Sequence, residues 1–138
     1  MISLLFWCLA AICNSIMDVC FHHFDSSVFN SKKFNTNFWD TEFSWKNKYV
    51  NWPYNQSRKS VKIWKWKFNY PVQLTDSFHL FKMLMIVFIC LSIVTFEPYF
   101  NFQLLPDWLQ FVLHIASYGL WWNATFNLFY NHILIKKT

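Results

Sequence analysis

Three long apolar stretches without charged residues constrain this chain more than any other feature of its sequence. Residues 2–17 carry no charge, the last 14 residues of Phe78–Phe96 carry none, and Trp108–Ile135 is uncharged over 28 residues apart from its histidines. About 20 residues of helix cross the ~30 Å hydrocarbon core of a bilayer. We therefore predict an all-α integral membrane protein with three transmembrane helices, over residues 2–23, 76–96 and 108–135.

Composition agrees with a membrane protein, because only 14% of the residues are charged while 55% are hydrophobic. At 138 residues the chain is predicted to form a single membrane domain over 1–138. Its one glycine excludes P-loops and dinucleotide-binding loops, which need several glycines beside the phosphates. Two alternatives stay open. Residues 104–135 have room for a helical hairpin, which would make four helices, and residues 2–17 could be a cleaved signal peptide, although no Lys or Arg precedes them.

The distribution of basic residues predicts the orientation of the chain. Nine of the 12 Lys and Arg residues lie between residues 24 and 75, and Lys136 and Lys137 close the C-terminus, whereas the loop 97–107 has none. Basic loops stay on the cytoplasmic side of a membrane. We therefore predict a protein of the cytoplasmic (inner) membrane, with the N-terminus and the short loop 97–107 outside and the C-terminus inside.

Residues 24–75 are predicted to form a cytoplasmic interfacial cap of short helices and irregular structure. Tryptophan and tyrosine favour the lipid headgroup region, and lysines attract anionic lipid, so membrane lipids are the expected partners. The same composition suits stacking on single-stranded nucleic acid. Because the segment lies between two predicted transmembrane helices, lipid is favoured and no nucleic acid is expected. The tryptophans of the predicted cap are Trp39, Trp45, Trp52, Trp64 and Trp66.

Polar residues recur at helical spacing near the predicted cytoplasmic end of each helix. This spacing places each set along one face of its helix. Charged groups inside a membrane are costly and face a bundle interior or a water-filled cavity, so we expect the sets to converge on one pocket. They are Asn14, Asp18 and His22, followed by His23, on the first helix; Asp76, His79 and Lys82 on the second; and Asn123, Asn127 and Asn131, followed by His132, on the third.

The residue types in this pocket suggest a metal site. Carboxylate and imidazole groups suit Zn or Fe, and helical bundles use carboxylate–histidine pairs for such sites. The predicted ligands are Asp18, His22, Asp76 and His79, with Asn14, His23, Asn123, Asn127, Asn131 and His132 orienting them.

A bound metal would lower the pKa of a water molecule and polarise a carbonyl. The first functional hypothesis is therefore a metal-dependent hydrolase acting on a lipid or a lipid-linked substrate. Its candidate catalytic residues are Asp18, Asp76 and Lys82.

Other interpretations of the same residues remain open. Asp76 could cap the second helix, Lys82 could extend to the interface, and the asparagines could join helices by hydrogen bonds. A ligand or proton site without metal is a further possibility, as is haem held by His22 and His79. The second functional hypothesis is a non-catalytic accessory subunit or modulator in the membrane. A homo-oligomer or a partner membrane protein would help so thin a bundle to shield its polar residues.

Four segments of the chain form a recognisable pattern: Asn14-x3-Asp18, Phe38-Trp39, Ser44-Trp45-x-Asn47-Lys48-Tyr49 and Pro71-Val72-Gln73-x-Thr75-Asp76-x2-His79-x2-Lys82. This pattern resembles a family of short bacterial and phage-associated integral membrane proteins, and the resemblance covers nearly the whole chain. It implies a membrane location and no particular mechanism, because no activity is established for that family.

Overall fold

Long helices at both ends of the chain flank a middle segment of short helices and β-hairpins. The computed structural model describes residues 1–63, 65–98 and 105–136. The helices are α1 (Ile2–His22), α2 (Thr36–Trp39), α3 (Thr41–Ser44), α4 (Ser77–Val94) and α5 (Asp107–Leu128), which continues as a π-helix at Phe129–Leu134. The strands are β1 (Tyr49–Asn51), β2 (Asn55–Arg58), β3 (Ser60–Ile63) and β4 (Trp66–Asn69), and 3₁₀ turns lie at Phe24–Ser26, Trp45–Lys48 and Val72–Leu74.

Helix α1 is the central helix of the fold. Its buried positions include Ala10, Ala11, Cys13 and Ser15, whose small side chains let neighbouring helices approach closely. Both α4 and α5 pack along it. The burial of α1 therefore comes from two helices, while α4 and α5 each keep a wide exposed surface.

Contacts at the two ends of α1 give the directions of its neighbours. Ser3 Oγ donates a 2.7 Å hydrogen bond to the carbonyl of Ser92, near the end of α4, and Phe21 lies 6.1 Å from Phe78, near the start of α4. Helix α4 is therefore antiparallel to α1. The indole of Trp7 donates to the carbonyl of Tyr118 at 3.0 Å. Further along, His23 contacts Tyr130, so α5 and its π-helical extension run parallel to α1.

A small core at the C-terminal end of α1 joins the middle segment to the end of the chain. Val19, Cys20, Phe29 and Leu134 form its buried centre, and the ring of Phe29 stacks on Trp39 with centroids 4.0 Å apart. The backbone pairs here as well: the amide of Val28 donates to the carbonyl of Leu134 at 2.8 Å. We call this the loop end of the helices, because the chain from residue 23 to residue 76 begins and returns here.

The predicted class of an all-α protein with three spans is wrong. Among the described residues, only α1 and α4 are long and apolar enough to cross a membrane. Helix α5 is nearly free of charge, yet its many Trp, Tyr, Asn and Gln residues make it less apolar than a spanning helix. Absence of charge was therefore a poor substitute for hydropathy. The alternative hairpin over residues 104–135 is not formed either, since one continuous helix covers Asp107–Leu128.

The predicted cap also differs from the structure, because it contains two β-hairpins besides short helices. Strand β1 pairs with β2 and β3 pairs with β4, both antiparallel, in two separate sheets. Neither hairpin has the Asn-Gly or Asp-Gly turn that is the strongest signal of such a structure in a sequence. Residue 64 lies outside the described residues, as do residues 99–104 of the predicted outer loop and residues 137–138.

Candidate functional site

Asp76 and His79 form the tightest polar contact among the predicted site residues. Asp76 is only 2% exposed and caps α4, accepting the backbone N–H of His79 at 2.8 Å. The imidazole Nδ1 of His79 lies 2.8 Å from both carboxylate oxygens. The hydroxyl of Thr75 donates to the same carboxylate at 3.1 Å. Asp76 is thus the N-cap of α4, which is one of the alternatives that the sequence left open, and it also contacts an imidazole.

The histidines at the end of α1 belong to a different environment. His22 is exposed and its ring meets Phe21 edge to face at 4.7 Å. His23 is exposed too and contacts the ring of Tyr130 at 5.7 Å. Across the part of the chain that the structure describes, no three His, Cys, Asp or Glu side chains are grouped so that they could hold a metal. The role of Asp18, His22, Asp76 and His79 as Zn or Fe ligands therefore stays a prediction without structural support.

Asp18 is half-buried on α1 and lies near the π-helix at the end of the chain. Burial raises the pKa of the Tyr130 phenol above its ordinary value, and the negative charge of Asp18 adds to that shift. Asn14, one turn earlier, is half-buried as well. The face of α1 that carries Asn14 and Asp18 is therefore only partly covered.

The asparagines of the last helix face outward. Asn123, Asn127 and Asn131 are all exposed. Their amides bond along their own helix, from Asn123 Nδ2 to the carbonyl of Gly119 at 2.9 Å, from Asn127 Nδ2 to the carbonyl of Asn123 at 2.8 Å, and from Asn131 Nδ2 to Asn127 Oδ1 at 3.2 Å. His132 and Lys82 are exposed too. This asparagine ladder therefore does not converge with Asp76 and His79 on a common interior pocket.

A polar cleft at the loop end contains acidic residues that sequence reasoning did not connect with the histidines. It measures about 340 Å³ and lies between residues 20–26 and residues 40–42. Asp25, Asp40 and Glu42 line it together with His22 and His23. The hydroxyl of Thr41 closes it by donating to the carbonyl of Cys20 at 3.1 Å. The sequence feature that could have indicated this cleft is the helix N-cap at Asp40, whose carboxylate accepts the N–H of Glu42.

A second, apolar cleft of about 470 Å³ lies at the opposite end of the helices, where α4, α5 and the start of α1 meet. Aromatic and aliphatic side chains dominate its lining, which includes Trp7, Ile93, Phe96, Phe111, Ile115 and Tyr118. His114 is buried beside it, with its ring 5.8 Å from Phe96 in an edge-to-face contact. His114 thus lies far along α5 from the other histidines of the chain.

The middle segment presents a basic and aromatic surface. Lys46 lies 4.9 Å from the ring centroid of Phe43, and Lys48 lies 5.3 Å from that of Tyr49, both within the range of cation–π contacts. The rings of Trp45 and Trp52 meet at 4.8 Å. Of the tryptophans of the predicted cap, Trp39 packs against Phe29 at the small core. Trp45, Trp52 and Trp66 are described as well, and Trp64 lies outside the described residues.

Comparison with known proteins gives this chain no relatives. No family model matches it, and neither curated proteins nor solved structures yield a match. The features described above are therefore the basis for any functional conclusion.

Proposed function

We propose that this protein is a non-catalytic integral membrane protein, anchored by α1 and α4, that acts as an accessory subunit or modulator in the membrane. The exposed apolar surface of α4 carries this proposal. Only 11% of the 18-residue apolar stretch Ser77–Val94 is buried, whereas the core helix of a water-soluble protein is mostly buried. Ile86, at the middle of α4, is 50% exposed, and Val94 at its end is 82% exposed. A surface of this kind requires hydrocarbon or a partner.

The proposed orientation has the loop end in the cytoplasm of a cytoplasmic (inner) membrane. Nine of the 12 Lys and Arg residues lie between residues 24 and 75, and basic loops stay inside. The end of the chain lies at the loop end too, where the backbone N–H of Lys136 donates to the carbonyl of Ser26 at 2.8 Å. Helix α5 thus accompanies α1 to the loop end, although it is not apolar enough to be a candidate span itself. Antiparallel packing of α1 and α4 then puts Met1 and Thr95 on the outer side.

The asparagine ladder of α5 supports an accessory role with a partner. Its three amides are exposed next to exposed apolar side chains such as Leu120 and Leu128. Asparagine side chains hydrogen-bond between helices inside membranes, where each bond adds on the order of 0.6 kcal/mol. A second helix, from another copy of this chain or from a partner membrane protein, would cover both the amides and the apolar residues. The hydrolase hypothesis has no comparable support, because the described residues assemble no metal site.

The test introduces a charge at an exposed apolar position inside the proposed span. Ile86→Lys places an ammonium group at the middle of α4, and Tyr54→Lys, at a residue that is 89% exposed between β1 and β2, is the matched control. A lysine at the centre of a spanning helix costs about 2.5–3.5 kcal/mol on the insertion scale. We expect the wild type and Tyr54→Lys to resist alkaline carbonate extraction from membranes, and Ile86→Lys to lose most of its resistant fraction.

In water, an exposed isoleucine accepts lysine at little cost. Equal behaviour of Ile86→Lys and Tyr54→Lys would therefore argue against a span at α4. Recovery of the wild-type chain in the soluble fraction would overturn the membrane proposal altogether.

A further inference from the structure

The hairpin β3–β4 has two unlike faces. Its register pairs Val61 with Phe68 and Ile63 with Trp66. Directly paired residues share a face of a sheet, and neighbours along a strand alternate between faces. Val61, Trp66 and Phe68 therefore form one face. Asn69 lies on the opposite face, where it pairs with Ser60.

The apolar face of this hairpin is open to the outside. Trp66 is 70% exposed and Phe68 is 51% exposed, and Val61 beside Phe68 is exposed as well. Pairing of β3 with β4 folds the segment back on itself, so that Val61 lies beside Phe68 on the apolar face.

The segment that contains this hairpin has charge of one sign, although Lys67 of the hairpin itself lies on the face opposite the apolar one. From Phe43 to Thr75 the chain has no Asp or Glu, whereas it has seven basic residues: Lys46, Lys48, Arg58, Lys59, Lys62, Lys65 and Lys67. Lysines near an anionic membrane each contribute on the order of 1 kcal/mol, and tryptophan favours the headgroup region. The combination of an exposed apolar face and unopposed positive charge matches the chemistry of an anionic bilayer surface.

We propose that the apolar face of β3–β4 inserts into the headgroup region of an anionic bilayer, with the surrounding lysines and arginine binding lipid phosphate groups. The inference rests on the proposed function, because α1 and α4 must cross the bilayer for the segment between them to reach its surface. Continuity with these two helices is the reason for choosing lipid over a soluble partner. Docking of this segment would hold the loop end of the helix bundle against the cytoplasmic leaflet.

The experiment compares two adjacent residues on opposite faces of β4 in the full-length chain. The four native cysteines are replaced by alanine, and spin labels are attached in the variants Phe68→Cys and Asn69→Cys. A third label, at Ile86→Cys, reports on α4. The chains are reconstituted in lipid nanodiscs that are either zwitterionic or contain 30% anionic phospholipid. Collision rates with oxygen and with a water-soluble nickel chelate measure the depth of each label.

In anionic discs we expect the label at position 68 to collide more often with oxygen than with the nickel chelate, as a lipid-exposed group does. The label at position 69 should remain accessible to the nickel chelate. In zwitterionic discs, which lack the negative surface charge, the label at position 68 should be accessible to the nickel chelate. The same result is expected in anionic discs with 0.5 M salt, because salt screens the attraction between lysines and lipid. Lys65→Gln should lower the ratio of membrane-bound to free hairpin roughly five-fold. Lys67→Gln should lower it less, because Lys67 lies on the face of β4 opposite Phe68.

Three results would overturn the inference. The first is equal aqueous exposure of positions 68 and 69 in anionic discs. The second is spin–spin broadening at position 68 that is independent of lipid charge, which would indicate a second copy of the chain. The third is immobilisation of this label by single-stranded RNA in zwitterionic discs. The label at position 86 separates the two proposals: burial in lipid at 86 with water at 68 rejects only the hairpin inference, whereas water at both positions rejects the membrane proposal as well.

Discussion

The carboxylate of Asp76 holds both the backbone amide and the imidazole of His79, each at 2.8 Å. One buried residue thus begins α4 and also orients a histidine in its first turn. Since Nδ1 of His79 is engaged by this carboxylate, only Nε2 remains for another partner. The i, i+3 spacing of these two residues is also that of a helix N-cap and the N–H it accepts, so the spacing alone does not indicate a pair of metal ligands.

Replacing Asp76 should destabilise the fold. In Asp76→Ala the N–H of His79 and its imidazole lose their common acceptor, whereas the hydroxyl of Thr75 keeps the carbonyl of Val72 at 2.7 Å. Loss of a cap costs about 1 kcal/mol, and leaving buried donors unpaired costs about 1–3 kcal/mol. We expect a decrease of about 1–3 kcal/mol in the free energy of unfolding, measured by denaturant titration in detergent micelles.

Asp107→Ala is the control for this prediction. Asp107 is an exposed acidic residue in the first turn of α5, so it has the same favourable position near a helix N-terminus without a buried cap. An Asp76→Ala variant no less stable than Asp107→Ala would show that the cap contributes little.

A cluster of three hydroxyl groups joins the three long helices. Ser3 Oγ lies 3.1 Å from the hydroxyl of Ser92 and 2.7 Å from that of Tyr118. We expect Ser3→Ala and Tyr118→Phe to be non-additive in a double-mutant cycle, with a coupling energy of about 0.6 kcal/mol and at most about 1.7 kcal/mol. Ser15→Ala with Tyr118→Phe is the control pair, because Ser15 bonds to its own helix at Ile12. Equal coupling in both pairs would contradict a specific Ser3–Tyr118 bond.

Metal analysis of the purified protein separates the two functional hypotheses. Since no three potential ligands are grouped in the described chain, we expect Zn and Fe well below one equivalent per chain by mass spectrometry. His22→Ala and His79→Ala should leave that content unchanged, and His79→Ala should slightly destabilise α4. One equivalent of Zn or Fe that both substitutions abolish would instead support the metal-dependent hydrolase.

The asparagine ladder should affect association more than folding. Asn127→Leu removes an amide that is exposed and bonded along its own helix, and leucine has the higher helix propensity. We expect the combined Asn123→Leu, Asn127→Leu and Asn131→Leu variant to be as stable as the wild type but to lose its oligomer or its co-purifying membrane partner. Size-exclusion chromatography with light scattering would measure the change.

The control for this variant is Ile115→Leu, a change of shape alone at an exposed site earlier on α5. An oligomeric state that is identical in both variants and in the wild type would remove the ladder from any interface.

Residue-by-residue properties determined the helices of this fold. Hydropathy over about 20 residues is a local property, so α1 and α4 were predictable to within two residues at each end. The capping role of Asp76 was open to sequence reasoning as well, because a cap acts over three residues. The prediction of a helix over residues 108–135 agrees with α5, but the prediction that this helix is apolar enough to span a membrane was wrong. A segment without charged residues can still contain many amide and aromatic side chains, which lower its hydropathy.

Only the tertiary structure decided which way each helix faces. Spacing places Asn123, Asn127 and Asn131 on one face of α5, but the packing of Trp7 against Tyr118 and Trp122 turns that face away from α1. His22 is exposed as well. The hairpins likewise depend on pairing between strands rather than on turn residues. Helical spacing determines which side chains share a face, whereas the rotation of a helix about its axis depends on contacts with residues far away in the chain.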